Sequence, residues 1–226
     1  MTMVGFRTRL ERIRRDDRGI TVVELSIYMF IAAIVLTISG LTYVNVARST
    51  VRAADTRSST AEAQNALDVV TSDVRAATNV PVTSTQTTWA VLDGSPTQLT
   101  LITYTDAGPT FGTPYQVRFF VDAQSRLVLQ QWNPPAGTTT FPRATGPTST
   151  RILANGVQST SIFAYLDQNG APLDASRGLS STDIPKVGAV TVSIAVKAPN
   201  SSAVVTAYNT IWMPNAGLST AYAGAN

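Results

Sequence analysis

The sequence predicts an α+β protein in which one long amino-terminal helix packs on an antiparallel β-sheet head. Three observations lead to this prediction. Residues 25–47 carry no formal charge and are mostly apolar, and residues 48–78 continue a helical pattern without proline or glycine. From residue 81 onward, short β-prone runs alternate with turn signals. With 226 residues, the chain is long enough for one or two domains with a hydrophobic core.

The composition excludes several classes of chemistry. The chain has no cysteine and no histidine, which removes disulfides, thiolate nucleophiles and the commonest general base and neutral metal ligand. Scattered Ser, Thr and Asp residues do not identify a catalytic triad or a carboxylate pair. We therefore expect a protein that is not an enzyme and that needs no cofactor. A membrane-tethered enzyme would require a catalytic constellation that these residues do not show.

The positive charge of the chain is concentrated at its amino end. Residues 1–19 contain six arginines and three acidic residues, a net charge of +3 that equals the net charge of the whole chain. The remaining 207 residues are therefore neutral overall, and no basic stripe for phosphate binding is present. This charge is expected to orient and process the chain rather than to bind an anionic partner.

The apolar segment that follows is long enough to cross a membrane. As a helix, residues 25–47 span about 34 Å, slightly more than the hydrocarbon core of a bilayer. The preceding arginines place the amino end in the cytoplasm, which gives a single-pass topology with the later residues outside. A cleavable secretory signal has a shorter apolar run followed by a small-x-small site. An ordinary uncleaved signal anchor remains an alternative.

One charged residue, Glu24, interrupts the beginning of this apolar stretch. An unpaired carboxylate near lipid is costly, so we expect something to compensate for its charge. It lies within the string Arg18-Gly19-Ile20-Thr21-Val22-Val23-Glu24-Leu25-Ser26, directly after the basic residues. Basic leader, Gly19, the hydrophobic Ile20, Thr21 and then Glu24 together resemble the amino-terminal motif of type IV pilins and pseudopilins. The resemblance covers residues 15–47.

This resemblance implies a processing pathway and a domain organisation. A prepilin peptidase would cleave between Gly19 and Ile20 on the cytoplasmic face and methylate the new amino group of Ile20. Residues 1–19 would be the leader, 20–47 the membrane anchor and later filament core, 48–78 the amphipathic half of the helix, and 79–226 the β-rich head. The fold expected is therefore pilin-like. The precursor would lie in the bacterial inner or plasma membrane, and the mature subunit in a cell-surface or periplasmic filament.

Glu24 is the residue expected to direct subunit assembly. The amine created on Ile20 lies at a helix end that already has positive dipole character, so a nearby carboxylate compensates it. Within one helix the two residues are four apart, whereas in a staggered filament the amine comes from a neighbouring subunit. The resemblance favours the intersubunit pair. We expect Glu24→Ala to permit leader cleavage and to reduce incorporation into filaments.

The second half of the helix is predicted to pack against the head by one face. Apolar residues recur at spacings of three and four, and the charges between them are expected to be solvated. Asn79-Val80-Pro81 supplies the stop signal. The apolar positions are Ala63, Leu67, Val70, Val74 and Ala77, and the charged ones are Arg48, Arg52, Asp55, Arg57, Glu62, Asp68, Asp73 and Arg75.

The head is predicted to consist of hairpins. One hairpin joins runs 89–92 and 98–104 through Asp93-Gly94-Ser95-Pro96, and a second joins 116–121 and 126–131 through residues 122–125. Later strands are expected at 161–166, 189–196 and 204–212. The Ser-, Thr-, Pro- and Gly-rich stretch 133–150 is expected to form an exposed loop.

Candidate ligand sites in the head have simpler explanations. Asp167, Asn169 and Asp174 offer oxygen ligands for Ca²⁺, but a hairpin turn needs the same Asp-x-Asn-Gly chemistry, and no metal is assigned. Asn200-Ser201-Ser202 matches a glycosylation acceptor and equally a surface turn. The three tryptophans offer a surface for stacking on sugars or DNA, whereas filling the core or covering apolar surface is the simpler role; they are Trp89, Trp132 and Trp212.

The function expected is structural. The chain resembles a larger minor pilin, PilW-like or of the J-type pseudopilin group, which would prime, cap or functionalise a filament. Its partners would be other pilin subunits, prepilin peptidase, the assembly platform with its ATPase and, before assembly, the membrane. Nucleic acid would be a partner only through a filament role in DNA uptake. The competing class is a surface binding module tethered by an uncleaved signal anchor.

Overall fold

The computed structural model describes residues 21–81, 87–104, 114–133, 141, 146–159, 161–199 and 203–216. It contains one long helix and three antiparallel sheets, which is the predicted α+β class. By its contacts the chain divides into two units, Met1–Val51 and Arg52–Asn226. The described part of the first unit is helical from Val22 onward, and no side chain between residues 21 and 51 is buried.

Helix α1 runs from Val22 to Arg75 and therefore covers most of both segments predicted as helical, 20–47 and 48–78, although it ends three residues before the predicted boundary. Within the second unit, its residues 52–75 bury one face. Four of the five predicted apolar positions are buried, namely Ala63, Val70, Val74 and Ala77, while Leu67 is partly buried. The helix ends four residues before Asn79, and the predicted stop region instead forms the first residues of a short strand.

Eleven strands are present in the described residues. They are β1 (Val80–Pro81), β2 (Thr87–Thr88), β3 (Val91–Ser95), β4 (Gln98–Thr103), β5 (Tyr115–Val121), β6 (Leu127–Trp132), β7 (Ser149–Ala154), β8 (Phe163–Asp167), β9 (Pro172–Leu173), β10 (Val187–Lys197) and β11 (Val204–Trp212). A short 3₁₀ helix, Ile184–Lys186, precedes β10.

Strands β3 to β7 form a five-stranded sheet in sequence order, in which every neighbouring pair is antiparallel. A second sheet has the order β11-β10-β8-β9, and β1 pairs with β2. The hairpins β5–β6 and β10–β11 and strand β8 confirm the corresponding predictions. Strands β1, β2, β7 and β9 were not predicted.

One hydrophobic core joins the second half of α1 to both larger sheets. Val70 of the helix, Phe119 of the five-stranded sheet and Tyr165 of the other sheet belong to the same cluster of buried side chains. Alternating residues of β4, β5, β6 and β10 belong to this cluster, as the two-residue period of a strand requires. The head is therefore built around a core that the helix completes.

The carboxyl end of α1 is tied to the head by hydrogen bonds. The Thr78 amide donates to the carbonyl of Ile102 in β4 at 3.2 Å. Asn79, which is buried, donates from Nδ2 to the carbonyl of Ala216 at 2.6 Å and accepts at Oδ1 from the amide of Ala90 at 2.8 Å. Asn79 therefore links the segment that follows the helix to the backbone at Ala90 and at Ala216.

Candidate functional site

The amino end of α1 begins with a side-chain cap. The Oγ1 atom of Thr21 accepts a hydrogen bond from the amide of Glu24 at 3.2 Å, and the Thr21 carbonyl accepts one from the amide of Leu25 at 3.0 Å. Thr-x-x-Glu is the sequence pattern of a helix start, because the hydroxyl satisfies an amide that has no partner within the helix. Thr21 therefore fixes where the apolar helix begins.

Glu24 lies in the first turn of this helix, and its side chain is exposed. Its Oε1 accepts a hydrogen bond from the hydroxyl of Tyr28, one turn later, at 3.0 Å. Negative charge is favourable at this end of a helix because the macrodipole is positive there. The Tyr28 partner was not anticipated from the sequence, although the spacing of four residues is the signal that could have found it.

Gly19 and Ile20, the predicted cleavage and methylation positions, lie outside the described residues. The basic stretch before them does too. The pairing of the Ile20 amine with Glu24 therefore stays a prediction, both within one helix and between subunits.

The surface of α1 between residues 22 and 47 is apolar and exposed. Large side chains such as Phe30, Leu36 and Tyr43 are each more than two thirds exposed. Among the described residues, this helix alone is long and apolar enough to cross a membrane. Because such a surface is unfavourable in water, it requires an apolar environment or a partner.

Hydroxyl side chains on this helix satisfy their donors within the helix itself. Ser26, Thr37 and Thr42 each donate to the carbonyl four residues earlier at 2.8 Å. Such bonds remove the hydroxyl donor from competition with water, so the residues are tolerated in an apolar environment. These three hydroxyl side chains are thus compatible with burial in lipid or between helices.

The candidate Ca²⁺ loop has the geometry of a turn. Asp167 Oδ1 accepts hydrogen bonds from the amides of Asn169 at 2.8 Å and Ala171 at 2.7 Å, and Gly170 has a positive φ of 84°. Asp174 Oδ1 accepts from the amide of Ser176 at 2.9 Å. The described residues contain no group of three or more acidic side chains able to hold a metal ion. Turn formation accounts for these carboxylates.

The three tryptophans have different environments. Trp132 is buried, whereas Trp89 and Trp212 are 40% and 51% exposed. A stacking surface is therefore excluded for Trp132, and the core role is confirmed only for that residue. Asn200-Ser201-Ser202, the glycosylation candidate, lies outside the described residues.

Asp73 corrects the prediction that the charges of the second helical half are solvated. Asp73 is only 8% exposed, and burial raises its pKa from 3.8 to about 6 against the opposing attraction of Arg151. The pKa of Tyr115 is raised to about 12, mainly by burial and to a smaller extent by the negative charge of Asp73. The helix positions Asp73 toward the sheet because it adjoins Val74 and lies three residues after Val70 on the packed face.

The prediction of an exposed loop over residues 133–150 is wrong at two positions. Phe141 is buried against Val80 and Ile102, and strand β7 already begins at Ser149. Residues 146–148, between these positions, are exposed as predicted.

Comparison with known proteins gives no relative from which to transfer a function. The chain matches no protein-family model, and no curated protein is significantly similar to it. Its function is therefore inferred from its own residues and their geometry.

Proposed function

We propose that this chain is a prepilin-type structural subunit of a type IV pilus or a related filament, acting as a minor pilin that primes, caps or functionalises the filament. The observation that supports this most strongly is the exposed apolar surface of α1 between residues 22 and 47. This surface begins at a capped helix start, and its one charged group is the carboxylate of Glu24 in the first turn.

The exposed apolar surface needs two successive environments in this proposal. Before assembly, residues 22–47 lie in the membrane, where lipid covers their exposed apolar side chains. After assembly, the same side chains pack against the helices of neighbouring subunits. The internal hydrogen bonds of Ser26 and Thr37 suit both environments, because neither hydroxyl donor needs water.

Glu24 supplies the directional part of assembly. After cleavage at Gly19, the amine of Ile20 precedes the cap residue Thr21 by one position, so a positive charge joins the positive end of the helix dipole. In apolar surroundings an ion pair forms only where the geometry is good, and an unpaired charge is penalised strongly. Pairing of this amine with the Glu24 carboxylate of a neighbour would therefore set the axial stagger of subunits.

The remaining parts of the proposal follow from the resemblance. Prepilin peptidase removes residues 1–19 and methylates Ile20, and an assembly platform with its ATPase supplies the energy that the subunit itself does not. The precursor is a single-pass membrane protein with its amino end in the cytoplasm. The mature subunit is part of a cell-surface or periplasmic filament.

Replacing Glu24 tests this proposal. In cells that carry prepilin peptidase and the assembly machinery, Glu24→Ala is expected to be cleaved normally, to remain in the membrane, and to fall at least about tenfold in sheared filaments. Ser26→Ala is the matched control, since it removes a neighbouring polar group whose bond stays within the helix.

Quantitative immunoblots of sheared filaments and membranes give the measurement. Normal incorporation of Glu24→Ala would remove the assembly role. A chain that is never cleaved and never enters filaments would instead favour the surface module held by an uncleaved signal anchor.

A further inference from the structure

We propose that the outer face of the β8–β10–β11 sheet binds a flat, neutral, β-linked glycan, with Tyr208 and Trp212 as stacking platforms on either side of a pair of threonine hydroxyls. This binding would belong to the head alone and does not rest on assembly of the chain into a filament.

The strand register defines the face. Trp212 of β11 lies beside Ala189 of β10, and Ala189 lies beside Leu166 of β8. The next rows along the strands pair Thr210 with Thr191 and Tyr208 with Ser193. Residues on the other face of β10 and β11, including Val190, Val192, Ile194 and Ile211, are buried in the core.

The side chain of Trp212 reaches toward the turn after β8. The Cη2 atom of its indole is 3.8 Å from the position that a Cβ on Gly170 would take, and Gly170 is in the turn after β8. Ala189, between Trp212 and Leu166, is fully buried although it lies on the outer face. An indole that crosses β10 accounts for both observations. Trp212 is still 51% exposed, so part of its indole remains open to solvent.

Tyr208 lies on the same face, about 13 Å from Trp212 at the rise of an antiparallel strand. It is 65% exposed, and its hydroxyl is 3.4 Å from Thr210 Oγ1, so its ring leans along the strand toward Trp212. Thr210 Oγ1 is also 3.0 Å from Thr191 Oγ1. Two aromatic rings therefore flank hydroxyls that can both donate and accept hydrogen bonds.

The charge of this face selects the ligand class. Among the outward positions of β10 and β11, Lys197 alone is charged, and it lies beside Val204 at the end of the hairpin remote from Trp212. A polyphosphate ligand requires several cations, so nucleic acid does not fit. Aromatic rings favour the C–H faces of sugars, while the hydroxyls suit sugar edges. An extended β-linked chain also fits two aromatic positions that lie about 13 Å apart along one strand.

Isothermal titration of the full-length protein in detergent with cellohexaose and chitohexaose tests the proposal. We expect saturable binding of at least one hexasaccharide, weakened at least about tenfold by Tyr208→Ala and by Trp212→Ala. Trp89→Ala is the matched control, because Trp89 is a partly exposed tryptophan whose neighbours include Met213, on the opposite face of the strand from Trp212. Its affinity should equal that of the unaltered protein.

Folding of each variant is checked by circular dichroism and thermal unfolding, and both exposed aromatic positions should tolerate alanine. Absence of binding to both hexasaccharides at millimolar concentration would overturn the proposal, as would equal binding by all three variants. Self-association of the protein that Tyr208→Ala abolishes, without glycan binding, would assign the face to a second copy of the chain and equally overturn it.

Discussion

The carboxyl group of Asp73 lies on the side of α1 that faces the five-stranded sheet, near Arg151 of β7 and Tyr115 of β5. Arg151 is exposed, so water screens its attraction, and burial dominates the pKa of Asp73. An aspartate at this position is more costly to the fold when ionised than when protonated.

Replacing Asp73 by asparagine is therefore expected to stabilise the protein near neutral pH. The pKa of Asp73 is about 6 in the folded protein and 3.8 in the free side chain. The contribution of Asp73 to the free energy of unfolding is therefore most favourable below pH 3.8 and is lost as the pH rises through 6. At pH 7, Asp73→Asn should raise the free energy of unfolding by up to about 3 kcal/mol. Urea unfolding of the full chain in detergent measures this.

The gain from Asp73→Asn should disappear at about pH 4, where both variants are largely neutral at this position in the folded state. Asp68→Asn, at an exposed position of the same helix, is the control and should change stability little at either pH. A stability gain that is independent of pH would contradict the burial of a charge as its cause.

Two contacts of Glu24 could have been predicted from local spacing. The Thr-x-x-Glu pattern indicates the cap formed by Thr21, and a separation of four residues indicates the hydrogen bond from Tyr28. The burial of Asp73 was missed because its charge assigned it to the solvated set, although its position three residues after Val70 lies on the packed face of the helix.

At the scale of elements, the β3–β4 hairpin shows how a glycine can mislead. Asp93-Gly94-Ser95-Pro96 predicts a turn, but Asp93, Gly94 and Ser95 belong to β3, and the turn is formed by Pro96 and Thr97. Gly94 is required by a close approach instead. A Cβ at this position would lie 2.7 Å from Cζ of Tyr165 and 2.8 Å from Cδ1 of Leu179.

Gly94→Ala is therefore expected to destabilise the head by about 1–3 kcal/mol, because the added methyl forces Tyr165 or the strand to move. Tyr165 cannot move freely, since its buried hydroxyl lies 2.8 Å from the carbonyl of Gln98 and 3.1 Å from that of Ser95. Thermal unfolding followed by circular dichroism measures the loss. Gly146→Ala, where an added Cβ meets nothing within 4 Å, is the control, and equal effects of the two changes would refute the steric explanation.

The other strands were predictable only where their local sequence signals are strong. The hairpins β5–β6 and β10–β11 were predictable because alternating apolar runs flank clear turn residues. Strands β1, β2 and β9 have two residues each, too few for any periodicity. Strand β7 follows a Ser-, Thr-, Pro- and Gly-rich stretch, and its own sequence lacks alternating apolar residues. In the structure only its last residue is fully buried.

At the scale of the whole molecule, the α+β class was predictable because the apolar helix and the β-prone remainder are separated along the chain. The packing of the two larger sheets against each other was not, because the period of a strand does not specify which residues it meets across the core. The candidate glycan face arises within one of these sheets, where β10 pairs with both β8 and β11 and the three strands share an outer surface. The sequence identified Trp212 as a candidate stacking residue but not the residues that surround it on the sheet.

We propose that the chain is processed at Gly19 and then assembled through its apolar helix. A mature chain with its new amine on Ile20 is expected of a filament subunit, whereas a retained basic segment is expected of a membrane-anchored module with the same helix. Peptide mass spectrometry of the amino terminus, on protein recovered from sheared filaments or from the cell surface, distinguishes the two. We expect a chain that starts at Ile20 and carries one added methyl group. Recovery of material that retains residues 1–19 would overturn the proposal.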